Sequence, residues 1–261
     1  MTPPDSKRIS LRPLDGVDVA WSVHRSTWVT VASYLRDAIL SGALESGSRV
    51  PREETAEELG VSVTPVREAL AALEHEGLVT IEPHRGAFVC EIDADFVRDH
   101  FAVLGFALGR SAARIADRMP HAVAEIEAIN AAIQNKVPSP QLYELGRSLH
   151  WTINRYGGSR KLRLVTKSLG PLLPRTFLET YRGAADQLRR GSAEISAAFV
   201  TGDSPQARIA CERYMEDQGE LVLEALEEGG VVAAPPVVGT VDAHAVETSM
   251  SGASAEPSGS Y

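Results

Sequence analysis

The chain has 261 residues, 44% of them hydrophobic and 23% charged, with a formal net charge of -9. This is the composition of an ordinary soluble protein with room for two modest domains. No apolar run approaches a membrane span and no charged start with an apolar core marks a signal peptide, so the expected compartment is the cytoplasm. The two cysteines, Cys90 and Cys211, lie far apart without CxxC spacing. They suggest neither a zinc site nor a disulfide framework, but two small buried hydrophobes.

Residues 1–25 contain Pro3, Pro4 and Pro13 with scattered charge and no clear period, the mark of a flexible N-terminal arm. Lys7, Arg8, Arg12 and Arg25 either contact DNA phosphates or belong to a solvated tail. A first helix follows, with Trp28, Val31, Ala32, Leu35, Ile39 and Leu40 on one apolar face, read as core, and a close near Gly42. Pro51 to Leu59 reads as a short helix, with proline at its opening, Glu53 and Glu54 in the first turn and Gly60 as the stop. Thr64 is then a natural N-cap with Pro65 at the first helical position, and Val66, Leu70 and Leu73 repeat at helical spacing. Two short helices around such a turn form a helix-turn-helix. Its second helix starts exposed, carrying Thr64 and Arg67 beside free backbone N–H groups and a positive dipole end, where a phosphate or a base edge fits.

Leu78 to Glu82 and Ala87 to Cys90 are strand-like around Pro83-His84-Arg85-Gly86, a hairpin with a basic tip. A helix-turn-helix followed by a hairpin is a winged helix, with one helix for the major groove and Arg85 on the wing for the backbone or minor groove. Residues 26–92 are therefore expected to form a winged helix-turn-helix DNA-binding domain. Acidic residues outnumber basic ones even here, yet DNA affinity depends on where the cations sit. Arg49, Arg52, Arg67 and Arg85 fall at helix starts and the wing, while Glu57, Glu58, Glu74 and Glu76 can take other faces.

Residues 93–228 read as an all-α bundle. The expected helices are Phe96 to Arg118, Ala122 to Gln134, Pro140 to Tyr156, Lys161 to roughly Arg182, Arg189 to Thr201 and Pro205 to Leu226. Pro120, Val137-Pro138, Gly157-Gly158, Gly183 and Gly202-Asp203-Ser204 break them, and Gly170-Pro171 and Pro174 should kink or divide the fourth. Residues 229–261, rich in Gly, Ala, Ser and Pro, should be a disordered tail. The fold class is thus mainly α, three helices and a wing followed by a helical bundle.

The run Thr64-Pro65-Val66-Arg67-Glu68-Ala69-Leu70, with Leu73, Glu76-Gly77-Leu78-Val79 and Arg85-Gly86-Ala87-Phe88-Val89, closely resembles the GntR superfamily of transcriptional regulators. The helical remainder looks like its FadR-type branch, whose effector domain is called FCD, and the resemblance spans roughly Val31 to Glu228. It implies a homodimer on a palindromic operator and carries DNA contact onto Ser62, Thr64, Pro65, Arg67 and Arg85, with Arg52 as an addition. Family members commonly place arginine directly after the serine of the turn, where this chain has Val63. A valine can meet a thymine methyl instead, so a different half-site is expected. The plainer reading of Arg67 is a solvated arginine paired with Glu68 or Glu74.

The resemblance also implies a pocket. Many FCD domains hold a divalent metal through an Asp or Asn four residues before a His, plus two later histidines, a spacing that puts the first pair on one helical face. Here His150 stands four residues after Gly146, and the later positions fall on Ile195 and Tyr214. The pocket arginine of the first bundle helix is replaced near Leu104. No metal or other cofactor is therefore expected, and the effector pocket would be lined by His150, Tyr214, Ile195 and Leu104. His150 and Tyr214 can equally be core residues, and Arg175 either binds an anionic effector or sits on the surface.

Three functions follow. The first is a DNA-binding dimeric repressor whose helical domain senses a small molecule, and the second the same dimer with a purely structural helical domain. The third is an enzyme using Ser148, His150 and Asp203; no nucleophile elbow or phosphate-binding glycine loop supports it.

Overall fold

A helix-turn-helix, a small sheet and a set of longer helices follow one another in a computed structural model that describes residues 27–135, 137–173, 181 and 183–233. The proposed arm contacts Lys7, Arg8, Arg12 and Arg25, the pocket candidate Arg175 and the tail from residue 234 onward lie outside the described residues.

The winged half contains α1 (Thr27–Leu40), α2 (Arg52–Glu58), α3 (Val63–His75), β1 (Val79–Glu82) and β2 (Gly86–Val89). Val31, Leu35 and Ile39 of α1 meet Val66, Leu70 and Leu73 of α3 in a core that excludes water almost completely. Gly60 ends α2 in the left-handed conformation that a turn at this place requires (φ 63°). α3 begins two residues earlier than its sequence suggests: Ser62 is the N-cap, extended at ψ 165°, and Thr64 and Pro65 are the second and third helical residues. Proline is tolerated there because a first-turn N–H has no intrahelical partner.

The strands pair antiparallel, Val79 with Val89 through Glu82 with Gly86. Chain preceding α2 adds a third, short line of pairing: Gly47 N–H donates to Val89 O at 2.9 Å, Val89 N–H to Ser48 O at 2.9 Å and Val50 N–H to Ala87 O at 2.9 Å. Arg49 consequently bridges Phe88.

Among the described residues the second half has six helices, α4 (Ala94–Arg118), α5 (Pro120–Gln134), α6 (Ser139–Gly157), α7 (Arg160–Leu169), α8 (Ala184–Val200) and α9 (Ser204–Glu228). Side-chain caps set three starts: Asp93 accepts from Phe96 N–H at 2.7 Å, Ser159 from Leu162 N–H at 3.3 Å and Asp203 from Gln206 N–H at 2.9 Å. α4 and α9 are the longest helices and pack along each other, with Gly105, Gly109 and Gly219 at the contact. The helix expected from Lys161 to Arg182 stops at Leu169, because Gly170 turns left-handed (φ 67°) ahead of Pro171. α8 starts at Ala184 rather than Arg189, after left-handed Gly183. Residues 229–232, assigned to the tail by composition, belong to the helical half: Val231 N–H donates to Leu226 O at 2.8 Å and Val232 is buried.

The halves touch at three glycines of close approach. The Phe96 ring of α4 covers Gly77, Val231 covers Gly42, and Gly170 rests on the carboxylate of Glu76.

Candidate nucleic-acid interface

The amino end of α3 is a set of unused donors. Ser62, Thr64 and Arg67 are exposed, and the Ser62 hydroxyl makes no capping bond, so the N–H groups of Val63 and Thr64 face solvent at the positive end of the helix dipole. Arg67 lies one turn further on and has no ion-pair partner among the described residues. Neither carboxylate expected to hold it does so, since Glu74 accepts from Ile81 N–H at 2.9 Å instead. Glu76 is turned away from this surface altogether. It accepts Arg36 Nε at 3.0 Å and Nη2 at 2.7 and 2.8 Å, and burial beneath Gly170 pushes its carboxyl above the usual value although Arg36 pulls it down.

Arg85 sits exposed at the wing tip, ion-paired with Glu82, its guanidinium 5.5 Å from the Phe88 ring centre. His84, exposed beside it, holds a positive φ of 64°. Arg52, by contrast, is only about a quarter exposed and leans toward Glu53 at 3.9 Å.

Two neighbours border this surface, Arg49, counted from sequence among the cations at helix starts and the wing, and Trp28. Arg49 is exposed and lies across Gly86, 2.8 Å from where a Cβ would stand, so it adds a cation to the wing. Trp28, expected in the core, is half-buried and lines a shallow open groove with Thr27, Val61, Ser62, Pro65 and Glu68. Both placements arise from tertiary pairing, for which the only local signal is the alternation Ser48-Arg49-Val50.

In the helical half His150 and Tyr214 meet edge to face with ring centres 5.5 Å apart. Burial, with Arg147 nearby, lowers the His150 imidazole to about 4. Its Nε2 and the Gln218 Oε1 are buried without a hydrogen-bond partner, and the Tyr214 hydroxyl is buried beside the Gln218 side chain. Ile195 is buried on α8 and Leu104 half-buried on α4, both in the apolar core. The donor set does not fit a metal. Gly146 offers no ligand and would meet the Leu188 methyls at 3.2 Å even with a Cβ, and the Tyr214 ring lies against Gly191 so closely that any side chain there would overlap it.

The groups of the hydrolase reading are dispersed into helix chemistry. Ser148 donates to Glu144 O at 2.8 Å within its own helix, and Asp203 caps α9. Both cysteines are free; Cys211 is buried, its thiol pushed up to about 12, whereas Cys90 is only half-buried. No helix among the described residues is long and apolar enough to cross a membrane.

Residues 27–89 match the profile of "Bacterial regulatory proteins, gntR family". An uncharacterized HTH-type transcriptional regulator of Mycobacterium tuberculosis (strain ATCC 25618 / H37Rv) is 32% identical over 207 residues, 78% of this chain and 84% of that protein. The gluconate operon transcriptional repressor of Bacillus subtilis (strain 168) is 44% identical over 62 residues, 24% of this chain and 26% of its own. The solved E. coli McbR/YncC shares the fold at a TM-score of 0.52 and 19% identity, covering 77% of this chain and 99% of that one. Fold and site together define a class, the DNA-binding transcriptional regulators of helix-turn-helix type. Within that class the chain belongs to the GntR family.

Proposed function

We propose that this regulator binds a palindromic operator as a homodimer, each subunit laying the start of α3 in the major groove and its wing along the adjoining backbone. Ser62, Thr64, Pro65 and Arg67 make the base and phosphate contacts, while Arg85, Arg49 and Arg52 hold phosphates. The observation that carries this reading is the uncovered amino end of α3 with an unpaired arginine. Two half-sites a helical turn apart multiply the specificity that one short helix supplies alone. Such a dimer acts as a repressor when its operator overlaps a promoter. The test is selection of duplexes from a random pool by the purified protein. An inverted repeat with half-sites about one turn apart is expected, and a pool without enrichment overturns the reading.

The helical half is, on this reading, an FCD-type effector domain that has exchanged its metal for an uncharged pocket. Supporting an effector are the unpartnered buried polar atoms of His150 and Gln218, because such groups ordinarily find a partner in protein, water or ligand. The buried groups of His150, Tyr214 and Gln218 are uncharged hydrogen-bonding ones, which suit a hydrogen-bonding small molecule. The close seat of Tyr214 on Gly191 favours the alternative, a structural dimeriser without ligand. Thermal shift against a panel of metabolites separates the two, since a ligand of the folded state raises the melting temperature by mass action.

A further inference from the structure

The face of α1 that forms the winged core runs on past it. Val31, Leu35 and Ile39 are buried, and Trp28, one turn before Val31, continues the same face. Here the reading helix is only beginning, and its first turn is too little to cover an indole. Trp28 is left half-buried, lining a shallow groove of about 410 Å³ with Thr27, Val61, Ser62, Pro65 and Glu68. That volume lies within the range that takes a small organic group. The indole Nε1–H makes no hydrogen bond among the described residues.

The groove has two unlike ends. At one, the Ser62 hydroxyl makes no capping bond and the helix presents its positive pole. At the other stands the exposed carboxylate of Glu68, six residues and about 9 Å further along α3. Between them lie the apolar groups of Val61, Pro65 and Trp28. An anionic group is drawn to the first end and repelled from the second, while an uncharged sugar suits the space between.

We infer that this groove seats the sugar–phosphate backbone of one operator strand at the rim of the major groove: Trp28 Nε1–H donates to a phosphate oxygen and the indole face packs on the adjoining deoxyribose. The inference rests on the reading of α3 as the DNA-contacting helix and extends that surface, without a break, onto α1. An indole suits the place because its edge is a donor and its body apolar. Backbone contacts of this kind fix register and carry no sequence information, so Trp28 sets the depth at which Thr64 and Arg67 meet the base edges. The indole is uncharged and releases few counterions, and its share of the affinity does not fade as salt rises.

Binding of the selected inverted repeat by the full-length chain across a salt series tests the contact. Trp28→Phe, which keeps a ring and loses the N–H, should weaken binding about five- to tenfold. The factor should be the same at every salt concentration, whereas Arg85→Ala should flatten the salt slope. Ethylation of individual phosphates should reveal a position in each half-site that weakens the wild type and leaves Trp28→Phe unaffected. In a Trp21→Phe, Trp151→Phe background Trp28 is the remaining indole of the chain's three. Its emission should shift to the blue, and its access to acrylamide fall, when a short operator duplex is added. Wild-type affinity in Trp28→Phe, a loss that shrinks with salt, or an ethylation pattern shared by both proteins overturns the contact. An indole already shielded in the free protein and unchanged by DNA shows the groove filled by the chain preceding Thr27, and overturns it too. If Arg67→Ala weakens operator binding while Trp28→Phe does not, only the groove assignment falls; if neither does, the reading of α3 falls with it. Melting curves guard against misfolding of the phenylalanine variant, and the emission of the unsubstituted Trp28 does not depend on it.

Discussion

Arg67 is a long cation at the start of a helix whose later exposed positions include two acidic residues, Glu68 and Glu74. The favourable part of the reading helix is therefore concentrated in one turn, and truncating its arginine removes the cation that α3 presents there. Arg67→Ala should cost about 1–3 kcal/mol of operator binding if the side chain reaches a base. A gel-shift titration that returns the wild-type affinity would falsify this role.

Two buried histidines work at the same scale on stability. His100, packed edge to face on Phe101 with ring centres 5.1 Å apart, is lowered by burial to about 4, as is His150. The unfolded chain takes up these protons near the ordinary 6.5, whereas the folded chain refuses them until about 4. Between those values the unfolded state binds more protons, so stability is complete above the window and falls as pH drops through it. Melting curves from pH 7 to 4 should show that decline, and the His100→Asn, His150→Asn double variant should show a shallower one.

At the scale of elements, a very close approach occurs where α6 ends against α4. Gly157 abuts the Ser111 backbone so tightly that a Cβ would overlap its carbonyl, and Arg114 Nη1 donates to the Gly157 carbonyl at 3.0 Å. Gly157→Ala should destabilise by about 1–3 kcal/mol or more through overpacking, seen as a melting temperature lower by several degrees. The same glycine was read from sequence only as a helix break. That contrast marks what was legible: punctuation such as Gly60, Gly157-Gly158 and Asp203 acts on its own neighbours, and the helices it bounds fall within a few residues of expectation, whereas the helix expected to reach Arg182 stops at Leu169. Ser62, Thr64 and Arg67 were legible for the same reason. Arg49 was counted among the useful cations but its seat against the wing was not legible, nor was the place of Trp28, because one reaches the wing through pairing with β2 and the other reaches α3 from the start of α1. The N-cap moved from Thr64 to Ser62 because both residues suit that position, and backbone geometry decides between them.

At the scale of the whole molecule, a net charge of -9 faces a polyanion. The few unpaired cations of the winged half must act locally while the acidic remainder repels the duplex at longer range. Binding to random DNA should be weak, with a modest salt slope, because few counterions are released. Filter binding across a salt series checks this; tight binding to random sequence that collapses steeply with salt would contradict it.

The contact between Gly170 and Glu76 bears on whether the winged half can live alone. A fragment of residues 27–92 keeps both partners of the Arg36–Glu76 pair but lacks the backbone that roofs it. Phe96 goes with the excised part and uncovers Gly77 as well. Water then enters where the intact protein excludes it and screens the attraction. Such a fragment should melt below the parent chain with none of its own helices missing, borrowing from its missing neighbour a shelter that it cannot build for itself.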